Sequence, residues 1–266
     1  ILNKSVSRVN TPFRLRQPKL LPGIIMWFPS ILLFLAFTSA FGDIEGGIET
    51  CINFIDVEEL EGIDSVKTNE DLQKFCPMII NAFNCVEDIL KSETGMTFKD
   101  LAEIAAGTEI GMGATVAVNL RDIFVDLCTE GSPLNEAYLA DADCFDTIDT
   151  KLDTCKAKTK EAMKTLNGFA ANAVEGADDD EYTPGEDCAR NAYMSACVAV
   201  IVHDTCGRRA FDTYNSVVKR SGIFKNIVCS VEDLEHLKTT FVDKLDLDDD
   251  QKDLLRLAYD LKKRRK

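Results

Sequence analysis

Residues 203-HDTC-206 place a histidine, an aspartate and a cysteine within four positions. A histidine can act as a general base that takes a proton from water, and a carboxylate beside it can hold Ca²⁺. One candidate chemistry is therefore calcium-dependent hydrolysis. The alternative is a histidine near the end of a helix, next to a cysteine that forms a disulfide. The sequence favours this second interpretation.

The segment resembles the active-site core of the secreted phospholipases A2, in which His203 would activate water and Asp204 would hold calcium. That family has two adjacent cysteines just before the histidine, where this chain has Ala199 and Val200, and a glycine-rich calcium loop that has no counterpart here. A single carboxylate gives calcium too few oxygen ligands. Adjacent helical positions point in different directions, so we expect His203 and Asp204 not to face each other.

Two acidic segments could also attract calcium. In 246-DLDDDQKDLLRL-257 the aspartates match positions one, three and five of an EF-hand loop, but Gln251 replaces its glycine and Leu257 replaces its bidentate glutamate. An aspartate-rich helix N-terminus accounts for this segment better. The run 178-DDDE-181 is expected to be a solvated loop.

Other catalytic and metal sites have little support. His203 and His236 are the two histidines of the chain, and no G-x-S-x-G motif occurs. No C-x₂-C pair occurs either, which argues against zinc. We therefore predict a non-enzymatic protein with no catalytic residues, no cofactor and no metal.

The cysteines carry the strongest signal. Ten cysteines, an even number, follow an apparent secretion signal and predict a five-disulfide framework in an oxidising compartment. The pairing cannot be read from the sequence. The predicted disulfide residues are Cys51, Cys76, Cys85, Cys128, Cys144, Cys155, Cys188, Cys197, Cys206 and Cys229.

The N-terminal region predicts secretion. Residues 1–25 hold five basic and no acidic side chains, and 26-MWFPSILLFLAFTSAFG-42 has the apolar core and small closing residues of a signal peptide. Cleavage is expected after Ala40 or Gly42. A signal anchor fits less well, because the apolar run is shorter than the ~20 residues of a membrane span. Residues 1–25 are interpreted as an upstream or non-native extension.

The charge of the mature chain limits its partners. Loss of residues 1–42 removes five of the 30 basic residues and none of the 45 acidic ones, which changes the net charge from −15 to −20. Such a chain is expected to be soluble, to bind no nucleic acid and to be repelled by anionic membranes. No stable membrane insertion is expected, and the oligomeric state stays open.

The spacing of apolar residues and helix caps predicts an all-α, disulfide-stapled helical bundle. Capping boxes begin at Thr68 and Ser230, Thr97 is a further cap, and Ser132 precedes a proline at the first helical position. Pro77 is expected to kink or restart its helix. The predicted helices are 69–76, 77–92, 98–107, 111–128, 134–166 as one helix or two, 188–220, 231–245 and 250–266.

The apolar run 197-CVAVIV-202 could also be a strand, but its flanks keep helical spacing, which favours a helix at the centre of the bundle. Cys188, Cys197 and Cys206 are nine residues apart, so Cys197 should lie on the opposite face from the other two. This spacing predicts one central helix bridged to neighbours on both sides.

The chain divides into two predicted helical halves, 43–174 and 188–266, joined by an acidic linker at 175–187. The second half ends in the basic tail 262-KKRRK-266. The spacing C-x₈-C occurs once in each half, at 76–85 and 188–197, which raises the hypothesis of an internal duplication.

The segments 75-FCPMIINAFNC-85, 143-DCFDTIDTKLDTC-155 and 187-DCARNAYMSACVAVIVHDTC-206 resemble the secreted arthropod cysteine-rich helical proteins of the twenty-seven kilodalton haemolymph glycoprotein family. The resemblance implies an abundant extracellular protein without established catalytic residues. No N-glycosylation sequon follows residue 42, so glycosylation is not expected.

We therefore expect a secreted, extracellular binding or carrier protein, with a small hydrophobic ligand between its helices. One alternative is a structural or effector component of a secretion such as venom, silk or haemolymph. The other is the phospholipase A2-like hydrolase, which the residues around His203 argue against.

Overall fold

A computed structural model of the chain describes residues 51, 66–166, 184–224, 226, 229, 242–244, 249 and 252. Within these residues the protein is all-α, as predicted, and contains no strand. The predicted signal peptide, the N-terminal extension, most of the acidic linker and nearly all of the two predicted C-terminal helices lie outside the described residues.

The described part of the chain forms seven helices in sequence order. They are α1 (Asn69–Thr94), α2 (Phe98–Ile104), α3 (Glu109–Cys128), α4 (Pro133–Leu139), α5 (Ala142–Leu166), α6 (Pro184–Ser221) and α7 (Val242–Lys244).

The predicted caps set the starts of three helices. Thr68 accepts a hydrogen bond from the Asp71 amide at 3.1 Å, and the Asp71 carboxylate accepts one from the Thr68 amide at 3.0 Å. Thr97 caps α2 in the same reciprocal way. The Ser132 hydroxyl accepts from the Asn135 amide at 3.1 Å, with a proline at the first helical position. These bonds satisfy donors that a helix start otherwise leaves free.

The prediction of a restart at Pro77 is wrong, because α1 continues through it as one helix. An internal proline removes a backbone hydrogen bond and costs about 3 kcal/mol. Here the neighbouring Phe75, Met78 and Ile79 are buried in the core, and Cys76 forms a disulfide. Tertiary packing on both sides of Pro77 outweighs the local preference.

Residues 134–166 form two helices rather than one. The chain turns at Ala140 and Asp141, and the Asp141 carbonyl accepts the amide of Phe145 at 3.0 Å at the start of α5. The Asp141 carboxylate is held by Arg209 of α6, so a long-range contact fixes the break.

Helix α6 differs from the prediction at its first residue and at Gly207. It begins at Pro184, so the last four residues of the predicted linker 175–187 belong to the helix. Its helical geometry is interrupted at Gly207, with φ 81° and ψ −176°. We call residues 184–206 the first arm and residues 208–221 the second arm. Sequence spacing alone indicated one unbroken helix.

The two arms fold back on each other. The Tyr214 hydroxyl lies 3.1 Å from the Ser195 hydroxyl and donates to the Ser195 carbonyl at 3.2 Å. The run 197–202 is helical, and its Val198, Ala199, Val200 and Val202 are buried. A strand there is excluded.

One main core joins α1, α3, α4, α5 and both arms of α6. It therefore includes residues from both predicted halves, which share a single interior. Its large fully buried side chains are Phe75, Leu120, Ile123, Phe124, Leu127, Val202 and Phe211. A smaller core lies between the end of α1, α2 and the start of α3, and contains Cys51, Val86, Leu90, Phe98, Leu101, Ala114 and Ala117.

All ten cysteines are paired, so the disulfide-stapled architecture is confirmed. The bridges are Cys51–Cys85, Cys76–Cys128, Cys144–Cys206, Cys155–Cys197 and Cys188–Cys229.

The first arm is bridged to two partners, α5 and Cys229, but the predicted division by helix face is wrong, because Cys197 and Cys206 share one partner. Both join α5, through Cys155 and Cys144 respectively, and their order shows that α5 and the first arm run antiparallel. Positions half a turn apart flank the line of contact between two packed helices, so both can reach the same neighbour.

Candidate functional site

The residues of the HDTC motif lie at the corner between the arms of α6. The His203 ring nitrogen Nδ1 is 3.2 Å from the Asp204 carboxylate, so the expectation that these side chains do not face each other is wrong. Both are partly exposed, at 36% and 58%, which leaves them free to turn towards each other over the helix surface. The His203 ring also packs edge-on against Phe211 of the second arm, with 5.5 Å between the ring centres.

Within the described residues, no group of three or more histidine, cysteine, aspartate or glutamate side chains could hold a metal ion. Asp204 therefore belongs to no such cluster in the described part of the chain. The predicted EF-hand-like segment, the 178-DDDE-181 run and His236 lie outside the described residues.

The cysteine of the motif ends the first arm and bridges to the first turn of α5. Cys206 and its partner Cys144 are both half-buried. Cys144 is the third residue of α5, and its backbone N–H donates to the Asp141 carbonyl at 2.9 Å. The interpretation of His203 as a residue near a helix end, beside a bridging cysteine, is confirmed.

Ion pairs surround this bridge. The Arg209 guanidinium donates to both oxygens of the nearly buried Asp141 carboxylate, at 2.9 and 2.6 Å, and to the Ala140 carbonyl at 2.9 Å. The hydrogen bond to Asp141 raises the pKa of Arg209. This pair ties the start of the second arm to the start of α5.

A second ion pair joins the segment before α1 to α5. The Lys67 ammonium lies 2.8 Å from Asp146 and 3.3 Å from Asp143. The hydrogen bond to Asp146 is the main reason why the pKa of Lys67 is raised. Every carboxylate that stands within three residues before or after Cys144 in the chain is thus paired with a cation.

Buried polar groups distinguish the second arm. The Thr213 hydroxyl donates to the Arg209 carbonyl at 3.1 Å, and the Ser221 hydroxyl donates to the Val218 carbonyl at 2.8 Å. Burial raises the pKa of Tyr214 to about 12, against the opposing effect of its hydrogen bond to Ser195. Each of these three groups has a protein partner.

Asn215 of the second arm is the exception. Its side chain is buried, with 6% exposed, and among the described residues its carbonyl oxygen has no hydrogen-bond partner. Phe211, which is fully buried, and the half-buried Val218 stand one turn away on either side of it. The arrangement is a hydrogen-bond acceptor with apolar neighbours inside a helical interior.

Sequence reasoning identified the cysteines and missed Asn215 and Gly207. The apolar positions 210, 211, 214 and 217 follow helical spacing, and Asn215 lies within the same buried surface. That placement is a usable sequence signal for a buried amide.

No described helix is both long and apolar enough to cross a membrane. Comparison of the chain with models of protein families, with curated proteins and with solved structures found no match.

Proposed function

We propose that the protein is a secreted, non-enzymatic carrier for a small and mostly apolar ligand that has one hydrogen-bond donor. The observation that carries the proposal is the buried carbonyl oxygen of Asn215 in the second arm of α6, which has no hydrogen-bond partner among the described residues. A hydroxyl or N–H group of the ligand would donate to this oxygen.

The energetics favour an occupant of this kind. Most buried polar groups in folded proteins are hydrogen-bonded, and leaving one without a partner costs about 1–3 kcal/mol. A ligand that donates to Asn215 would recover that free energy only when bound. Its apolar part would lie against side chains such as Phe211 and Val218, as in other small-molecule sites with few polar groups.

Secretion is supported by the bridges. Five disulfides are typical of extracellular proteins and rare in reducing compartments. Such bridges also hold the helices in place before a ligand arrives, which lowers the ordering cost of binding. The signal-peptide prediction and the resemblance to the haemolymph glycoprotein family agree with this proposal and stay predictions.

The first test is mass spectrometry of the protein secreted by its own tissue. We expect a native mass larger than that of the oxidised chain, with the surplus lost on denaturation and identified as an apolar compound with a hydroxyl or N–H group. A native mass equal to that of the bare chain would overturn the carrier proposal. A structural or effector role in a secretion would then be the better explanation.

The second test compares Asn215→Leu with Thr213→Val. Asn215→Leu removes the acceptor and should weaken binding of the identified ligand by about tenfold, or about 1.4 kcal/mol. It should also stabilise the ligand-free protein, because the buried polar atom without a partner is gone.

Thr213→Val is the matched control. This residue is also buried in the second arm, but its hydroxyl is satisfied within the helix. It should leave ligand affinity unchanged, as measured by isothermal titration. Equal affinities in the two variants would exclude Asn215 as the ligand's acceptor.

A further inference from the structure

The geometry points to Cys144–Cys206 as a thiol–disulfide exchange site that reacts reversibly with small thiols of the glutathione class while the other four bridges stay closed. This inference is independent of the proposed carrier function. It rests on the exposure of the bridge, the environment of each sulfur and the way in which neighbouring contacts hold α5 and α6 together.

Exposure separates this bridge from the rest. Both of its cysteines are half-buried, whereas each other bridge contains at least one cysteine that is 7% exposed or less: Cys51, Cys76, Cys155 and, in the last bridge, both Cys188 and Cys229. Exchange requires a thiolate to reach one sulfur and the other sulfur to leave, and Cys144–Cys206 is the bridge in which neither cysteine is buried.

The environment of Cys144 makes it the better leaving group. As the third residue of α5, it lies at the positive end of a helix dipole, which stabilises a thiolate. The nearby carboxylates that would oppose this effect are paired, Asp141 with Arg209 and the two others with Lys67. The thiolate that leaves more easily directs the attack to the other sulfur, that of Cys206.

A cation contacts the residue that precedes Cys206 in the chain. The Lys151 ammonium of α5 donates to the Thr205 hydroxyl at 2.7 Å, next to Cys206 in the chain. Both side chains of this pair are at the surface, so the positive charge is available to attract an anionic thiolate.

The reaction balances with two thiols. The first thiolate attacks the Cys206 sulfur, forms a mixed disulfide with it and expels the Cys144 thiolate, which takes up a proton. A second thiolate attacks the small-molecule sulfur of the mixed disulfide and releases Cys206 as a thiolate. The bridge is reduced to two thiols and the small thiol is oxidised to its disulfide; the reverse sequence closes the bridge.

When this bridge is reduced, other contacts still hold α5 and α6 together. Cys155–Cys197 still joins α5 to the first arm, and the pair of Arg209 with Asp141 still joins α5 to the second arm. What is released is the end of the first arm immediately before Gly207, where the chain turns between the arms. Reduction should therefore increase the mobility of the chain around Gly207 without unfolding the helices.

The test is stepwise reduction of the full oxidised protein. It is equilibrated in glutathione buffers of increasing reducing strength, free thiols are trapped by alkylation, and labelled cysteines are located by peptide mass spectrometry. We expect Cys144 and Cys206 to be labelled at a reduced glutathione concentration at least tenfold lower than Cys155 and Cys197, with unchanged helical circular dichroism. Glutathione trapped as a mixed disulfide should be found on Cys206.

Earlier labelling of any other pair would overturn the proposal, as would joint opening of all five bridges with loss of helix. Lys151→Gln should slow reduction by glutathione about threefold. Lys156→Gln is the matched control, because Lys156 is also on the surface of α5 but pairs with Asp153. Equal rates in the two variants would overturn the assignment of Cys206 as the attacked sulfur.

Discussion

Two stretches of the chain contain the same arrangement of cysteines. The stretch 51–128 has four cysteines, and 155–229 has four besides Cys206. In both sets of four, the first cysteine pairs with the third and the second pairs with the fourth. The middle two form the C-x₈-C spacing on one helix in both cases. We call these stretches the first and second units.

The correspondence extends past the cysteines. Ten residues after the last cysteine of C-x₈-C, each helix reaches a glycine with positive φ, Gly95 in the first unit and Gly207 in the second. A helix then folds back in both: α2 packs through Phe98 and Leu101 into the smaller core with α1, and the second arm packs against the first. These shared features support the duplication hypothesis with other bounds, because the second unit begins at Cys155, inside the predicted first half 43–174.

The differences show what the second unit has added. Thr94 precedes the glycine of the first unit, whereas Cys206 precedes that of the second and forms the fifth bridge. The seven-residue α2 becomes a second arm of 14 residues buried in the main core. The proposed exchange site and Asn215 both belong to these additions. The two units therefore share their disulfide pattern and differ in the residues to which we assign functions.

The largest expected effect comes from removing one equivalent bridge from each unit. Replacing both cysteines of Cys51–Cys85 or of Cys155–Cys197 by serine should lower the free energy of unfolding by about 4 kcal/mol in either case, because the closed loops are of similar length, with sequence separations of 34 and 42. Urea unfolding measures both. A cost more than twice as large for one variant would break the equivalence of the units.

Alkaline pH should destabilise the second unit through Tyr214. The folded pKa of about 12 lies above the unfolded value of about 10, so the neutral hydroxyl is favoured by folding. This contribution is complete below pH 10 and is lost as the pH rises towards 12, by about 2–3 kcal/mol in all.

Tyr214→Phe provides the comparison. At pH 7 it should be less stable than the wild type by about 1 kcal/mol, through loss of the hydrogen bonds to Ser195. Near pH 12 the order should reverse, as followed by chemical denaturation at each pH. Parallel stability curves for the two proteins from pH 9 to 12 would contradict this role of Tyr214.

The smallest expected effect is a difference in stability between substitutions at Gly95 and at Gly207. Gly95, with φ 74° and ψ 6°, is in the left-handed helical region, whereas Gly207, with φ 81° and ψ −176°, is in a region that other residues almost never adopt. An added Cβ meets nothing within 4 Å at either position, so only backbone strain should count.

Gly95→Ala should therefore cost about 1 kcal/mol and Gly207→Ala about 1–3 kcal/mol in thermal unfolding. Asparagine tolerates the left-handed region, so Gly95→Asn should be milder than Gly95→Ala, while Gly207→Asn should bring no such relief. If Gly95→Asn and Gly207→Asn lowered the stability by the same amount, the predicted difference between the two turns would be wrong.

Local sequence signals predicted the local structure. The caps at Thr68, Thr97 and Ser132 depend on neighbouring residues alone, and all three are confirmed. The apolar period also gave the helical class, because burial of one face is the main requirement for such a helix.

The wrong predictions concern features that depend on contacts between residues far apart in the sequence. Pro77 remains helical because of core packing, the break at Asp141 depends on Arg209, and the disulfide pairing depends on how α5 and α6 dock. The contact of His203 with Asp204 depends on side-chain rotation, which position along a helix does not fix. Gly207 could have been read from the sequence as a helix end, but the apolar residues on both sides suggested continuity.

The two bridges between α5 and the first arm also bear on cleavage by proteases. A cut anywhere between residues 166 and 184 would divide the chain into two polypeptides, and Cys144–Cys206 and Cys155–Cys197 would still hold them together. The cleaved protein would run as one species on a non-reducing gel and as two after reduction. Proteolytic nicking in this stretch would therefore change the number of chain ends without releasing a fragment.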